Sequence, residues 1–178
     1  MKMNKKILAS VIALGMLSGS AMAADIQFTG SVQQNTCDIQ PSTSVGLGSN
    51  SIDLGVVAPG GHNVTPVQFA LKPAATDGVS AAGCAEVAKQ QDVMVTWTGG
   101  RFDGTALGAS AGTATDAHVY FAPLNATDGT NAVAKNGTVN TFKASDLTGD
   151  GLKYQAVLVG GQETGDFQSA VVATLSYK

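Results

Sequence analysis

The chain predicts an all-β sandwich, and three features carry that expectation. Apolar and polar residues alternate over short runs, the period-two pattern of half-buried strands. The runs are separated by pairs of turn formers: Asp77-Gly78, Gly99-Gly100, Asp128-Gly129, Asn136-Gly137 and Gly160-Gly161. Glycine is abundant, at 22 of 178 residues, and only 13% of the chain is charged, a composition of turns and sheet faces rather than of solvated helices.

Taken in order, "ADIQFTGSVQQNTC" (24–37) sets Ile26, Phe28, Gly30 and Val32 against Asp25, Gln27, Thr29 and Ser31. "SIDLGVV" (51–57) places Ile52, Leu54 and Val56 on one face, and "TPVQFALK" (65–72) does so with Val67, Phe69 and Leu71. Pro66 suits a strand start or an edge. "DVMVTWTG" (92–99) aligns Val93, Val95 and Trp97; "HVYFAPL" (118–124) aligns Val119 and Phe121 until Pro123 interrupts it. "LKYQAVLVG" (152–160) aligns Leu152, Tyr154, Ala156 and Leu158, and "SAVVATLSYK" (169–178) aligns Val171, Ala173, Leu175 and Tyr177. Only "AAGCAEVAKQ" (81–90) predicts a helical turn, and the Gly-, Ala-, Ser- and Thr-rich segment 104–117 reads as a long surface loop. Seven or so alternating strands without an internal repeat fit one sandwich domain.

The first 23 residues are expected to be removed. Lys2, Lys5 and Lys6 form a positive start, "ILASVIALGML" an apolar centre, and Ala21-Met22-Ala23 a small-residue cleavage site. The apolar run is shorter than the ~20 residues of a spanning helix. Cleavage would take three of the ten basic residues and leave all thirteen acidic ones. The mature chain is therefore acidic, which argues against nucleic acid and anionic membrane surfaces as partners.

Both cysteines, Cys37 and Cys84, lie in the exported part. An even pair in an oxidising compartment reads as a disulfide; the plainer alternative is two unrelated buried thiols. His62 and His118 are the only histidines and neither has zinc-ligand spacing, so no metal or other cofactor is expected. An immunoglobulin domain proper would hold its tryptophan between the cysteines, whereas Trp97 follows both.

Several motifs hint at chemistry and fall short. "GASAG" (108–112) matches the nucleophile-elbow pattern around Ser110, but it lacks the strand-turn-helix context, and His118 follows too closely to fold back. "DLTGDG" (146–151) begins like a calcium loop, with Asp146, Thr148, Asp150 and Gly151 at positions 1, 3, 5 and 6. Position 12, where a bidentate Glu belongs, is Val157. A polar turn is the simpler reading. Asn63, Asn125 and Asn136 each open a formal glycosylation triplet, a frequent accident in Asn- and Thr-rich loops. With no clustered carboxylates, phosphate-binding loop or Cys-His pair, no enzymatic activity is expected.

What remains is the pair of ends. Both the first mature residues and the last ones alternate, and "SAVVATLSYK" carries no charge before Lys178 and no proline. Such an edge is a template for another chain. The N-terminal strand either pairs within its own domain or leaves to complete a neighbour's sheet.

At this point the chain resembles the pilin subunits of chaperone–usher fimbriae, most of all major subunits. The resemblance covers essentially the whole mature chain. It rests on "FTGSVQQNTCDIQ" (28–40), then "IDLG" (52–55), then "FALKPA…GC" (69–84), then a terminal alternating strand with Tyr177 penultimate. It implies an incomplete immunoglobulin-like sandwich, the pilin fold, lacking its final strand and carrying one disulfide, Cys37–Cys84. Residues 1–23 would be the signal peptide, 24–30 a donor-strand extension and 31–178 the pilin domain. Ile26 and Phe28 would enter a neighbouring subunit; Gly30 would sit where no side chain is tolerated or at the join into the first domestic strand, unless the donor breaks away later, near Val32. Val171, Ala173, Leu175 and Tyr177 would line this subunit's own acceptor groove and face its chaperone.

The implied partners are other fimbrial subunits in a head-to-tail homopolymer, a periplasmic chaperone and an outer-membrane usher, with a host surface glycan, bound by surface loops such as 100–117 and 125–140, as a further candidate. The implied destination is the cell-surface fimbrium. One departure is that only Ala24 to Gln27 precede Phe28, a shorter extension than the family's usual one. Two other readings stay open: a minor or tip subunit that binds glycans, and a free secreted sandwich that binds carbohydrate or calcium.

Overall fold

The computed structural model describes residues 37–178 except 44–45, 48–49 and 75–77. The chain parts into two units between Val32 and Gln33, and the first lies wholly outside the described residues. Ile26, Phe28, Gly30 and Val32 therefore lie outside them too.

The described elements are β1 (Ile39–Thr43), β2 (Gly46–Leu47), β3 (Val67–Pro73), α1 (Gly78–Val87), β4 (Asp92–Thr98), β5 (Leu107–Gly108), β6 (Ala111–Gly112), β7 (His118–Pro123), β8 (Thr138–Lys143), β9 (Leu152–Val159), β10 (Phe167–Gln168) and β11 (Val172–Tyr177), with a 3-10 turn at Ala144–Asp146. One sheet has the order β2-β1-β3-β9-β7-β5; a second has the order β11-β4-β8; β10 and β6 make a small ladder beside them. All pairings are antiparallel.

Alternation places the core. Val93, Val95 and Trp97 of β4 face inward, as do Phe69 and Leu71 of β3, Val119 and Phe121 of β7, and Leu152, Tyr154, Ala156 and Leu158 of β9. Register stacks them: Phe69 stands opposite Tyr154, and their rings stack at 5.4 Å. Each such apolar side chain contributes about 1.5–3 kcal/mol of burial, so these runs are stable as strands only when another sheet covers their inner face.

The disulfide forms between Cys37 and Cys84, which are 47 residues apart. Cys84 is buried on α1 and Cys37 lies two residues before β1, so the bond ties the helix to the start of the first strand. The helix lies three residues earlier at both ends than the stretch 81–90 that the sequence predicts. It opens at Gly78, whose φ of +76° suits the sharp entry that a side chain would resist.

Four expectations need correction. "SIDLGVV" forms no strand. Gly55 adopts φ +74°, which breaks the extended period, so Ile52, Leu54 and Val57 pack on the core while Val56 is 97% exposed. Segment 104–117 is no loose loop: β5 and β6 lie in it, and Ala106, Ala109, Ala114 and Ala117 are buried. Alanine is apolar enough to fill narrow space yet too small to mark an alternating face, which is why composition hid them. Segment 125–140, also read as surface loop, holds fully buried Val133 and runs into β8, whose "TVNTFK" buries Asn140 and Phe142. The polar residue at an inward position concealed that strand. Finally, Pro123 ends β7 from within rather than interrupting it.

Candidate functional site

A cavity of about 1210 Å³ opens between the two sheets. Its floor is the apolar core itself: Phe69, Leu71, Trp97, Phe121 and Leu158 all reach it. One rim is the end of the chain, where Val171 and Ala173 line the cavity. The other is the segment 50–59, with Ile52, Leu54 and Val57 turned toward the core. The space exceeds the roughly 300–1,000 Å³ of small-molecule pockets; its floor is apolar, and polar residues such as Asp53, Glu163, Asp166 and Gln168 also line it.

Four residues of the last strand were expected at this site, and the structure divides them. All four are half-buried and pack on the core. Val171 and Ala173 also line the cavity, whereas Leu175 and Tyr177 are absent from its wall. β11 is held along its whole length by β4, from Val172 opposite Thr98 to Tyr177 opposite Val93, and it is the outermost strand of its sheet among the described residues.

The opposite rim is attached differently. Asn63 donates its side-chain N–H to the Leu54 carbonyl at 2.8 Å, and its side-chain oxygen accepts from the Leu158 amide at 2.7 Å. Its own backbone amide donates to Leu158 O at 3.1 Å. One side chain thus bridges segment 50–59 to β9. Gly60 N donates to Gly161 O, and Gly160 N to Gly61 O, closing the turn that follows. Sequence reasoning missed Asn63 as a structural residue because it weighed the triplet only for modification and set it aside as a chance match.

The other two triplets behave alike. Asn125 donates to Asp146 and to Gly151 O while its oxygen accepts from Lys153 N; Asn136 donates to Gly100 O. Each amide nitrogen is committed inside the protein. The Asp146 turn is held by these bonds and by Gly151 N donating to Asp146 O at 2.8 Å, and no group of three or more metal-ligating residues occurs among the described residues.

Ser110 is likewise committed. Its hydroxyl and its amide both donate to Gln168 O, at 3.3 and 2.8 Å, which joins β6 to β10. Gly112 makes that junction possible, since its φ is +95° and a Cβ there would lie 2.0 Å from Asp166 O. His118 pairs with Asp103 at 3.2 Å, not with Ser110. The Asp103 carboxyl is pulled down to about 2, chiefly because it accepts from the Thr105 hydroxyl and from the amides of Thr105 and Ala106, with His118 a minor cause. That is a turn-forming carboxylate. Burial pushes the Tyr154 phenol well above its ordinary value, so it stays a neutral donor within the core.

A curled sandwich with a groove beside its last strand is the fold that the pilin resemblance implies. The fold is similar to the crystal structure of the P pilus rod subunit PapA, with a TM-score of 0.52 and 18% identity, covering 86% of this chain and 99% of that one. No protein-family model matches the chain. Among curated proteins it is 38% identical over 179 residues to the F107 fimbrial protein of Escherichia coli, covering 99% of this chain and 100% of that protein. It is also 30% identical over 152 residues to the K99 fimbrial protein of Escherichia coli, covering 81% and 76% respectively. The chain belongs to the fimbrial proteins, the pilin family that its sequence resembles.

Proposed function

We propose that this chain is a structural, non-enzymatic major subunit of an adhesive surface fimbria that polymerises by donor-strand exchange. A periplasmic chaperone occupies the groove first and delivers the subunit to an outer-membrane usher. There the N-terminal extension of the next subunit replaces it. The observation that supports this most is the groove itself: a cleft of about 1210 Å³ with an apolar floor, bounded by Val171 and Ala173 on one rim and Ile52, Leu54 and Val57 on the other.

In this reading residues 1–23 are removed on export, 24–30 form the donor and 31–178 the receiving domain. Ile26 and Phe28 supply the inserted side chains, Gly30 and Val32 the join. Val171, Ala173, Leu175 and Tyr177 form the receiving strand's inner row. Burying two large side chains contributes roughly 1.5–3 kcal/mol each, and each added main-chain hydrogen bond about 1 kcal/mol. An interface between unlike patches on successive subunits does not close on itself, so the product is a filament. Strand addition of this kind also suits segment 51–57, which alternates in sequence yet joins no ladder among the described residues, so an inserted strand would lie alongside it.

The test is to shear surface material from expressing cells and run it in SDS with and without boiling, beside a strain lacking Asp25–Thr29. A ladder that collapses on boiling and is missing from the deletion strain is the expected result. A monomer in both strains would show that the N-terminal strand pairs at home.

A further inference from the structure

The floor of the groove has a second layer. Phe69, Trp97 and Phe121 line the cavity, whereas Asn140, Phe142 and Tyr154 stand outside its wall. Trp97 is the only tryptophan in the chain. Its N–H donates to Asn140 Oδ1 and to the Tyr154 hydroxyl, each at 3.2 Å, and that hydroxyl donates to the same Asn140 oxygen at 3.2 Å. Phe121 and Tyr154 hold the indole edge-on, at 5.0 Å and 78° and at 5.2 Å and 87°. Asn140 is 3% exposed and is the one buried polar side chain, aromatics aside, among the described residues.

A buried polar side chain amid aromatics is retained only where its bonds are made. Here they turn the single polar atom of the indole away from the cavity, so that Trp97 contributes carbon alone to the floor. The ladder supports this arrangement: Asn140 stands opposite Val95, and Thr138 opposite Trp97. A one-residue slip of β8 would send Asn140 to the outer face.

We infer that Asn140 is a positioning residue for the groove: by fixing the indole of Trp97 it keeps the floor hydrocarbon, and so makes the groove select apolar inserted side chains over polar ones. The inference rests on the donor-strand reading above. Without Asn140 the indole N–H would keep only the Tyr154 hydroxyl and could turn toward the cleft, where it would satisfy a polar guest. The occupant is the 24–30 segment of a second copy, whose Ile26 and Phe28 are apolar.

The experiment is a double-mutant cycle in the full chain as exported by cells. Donors carry the natural pair or Ile26→Thr with Phe28→Thr; acceptor backgrounds are natural, Asn140→Leu or Asn140→Asp. The readout is the yield of SDS-stable ladder, expressed as the preference for the apolar donor. Asn140→Leu is expected to lower that preference at least tenfold, and Asn140→Asp, which accepts the same two bonds, to restore it. Tyr154→Phe keeps the ring and removes one acceptor, and should lower the preference about threefold; it decides the matter if Asn140→Leu fails to fold, as judged by Trp97 emission. A preference unchanged within twofold in the folded variants overturns the inference while the donor-strand reading stands. A ladder that survives deletion of Asp25–Thr29 overturns that reading first.

Discussion

The two rims of the groove come from similar sequence and are built in opposite ways. "SAVVATLSYK" and "SIDLGVV" both alternate over strand length. The first becomes β11, registered residue by residue against β4. The second remains without a ladder and is fastened to β9 through the Asn63 side chain. Alternation specifies which side chains face inward in both cases. It does not supply the neighbouring backbone that a strand's amides and carbonyls require. One rim is therefore held by a backbone ladder along its length, and the other, among the described residues, by core packing and the Asn63 bridge.

Loosening the weaker rim should have graded effects. The largest follows from the disulfide, which anchors the chain just before β1 and hence upstream of segment 50–59. Replacing Cys37 and Cys84 by Ser should cost about 4 kcal/mol on the loop-entropy estimate, read as a lower urea midpoint, with β11 and β4 the last to exchange their amides. Asn63→Ala comes next. It orphans Leu54 O and Leu158 N, and about 2 kcal/mol of destabilisation is expected, with hydrogen exchange rising at 52–58 and unchanged along β11; equal rises on both rims would show that the groove walls are coupled.

Gly55→Ala is smaller. No atom lies within 4 Å of the added Cβ, so only the φ of +74° is strained, at about 1–2 kcal/mol, measurable as a shift in Tm. The smallest effect sharpens the register. Val56→Ser should change stability by less than about 0.5 kcal/mol, because Val56 is 97% exposed. Val57→Ser should cost about 1 kcal/mol, since that side chain packs on the core. The reverse order would restore the unbroken alternation through Val56.

Where sequence reasoning succeeded, the side chains announced themselves. β3, β4, β7, β9 and β11 carry large apolar residues every second position, and a two-residue period needs no knowledge of partners. β8 stayed hidden because Asn140 occupies an inward position, and its cost is met only by Trp97 and Tyr154, which lie 43 and 14 residues away in the chain. The alanines of 104–117 stayed hidden because their burial depends on β7 and β10, the strands that pair with β5 and β6. At the candidate site, the shared face of Val171 and Ala173 was legible from alternation, and a place beside a groove was implied only by the pilin resemblance. Asn63 was not, since nothing local distinguishes a bridging amide from a solvated one.

The sequence by itself determined the class of fold, the inner faces of the main strands and the family, because alternation, turn chemistry and motif order are local and additive. Tertiary structure alone decided which alternating segment became a strand, which polar side chain went inside, and that two distant stretches would border one groove. Those outcomes depend on backbone and hydrogen-bond partners contributed by residues far away in the chain. A hydrogen bond needs both of its ends, and the sequence shows only one at a time.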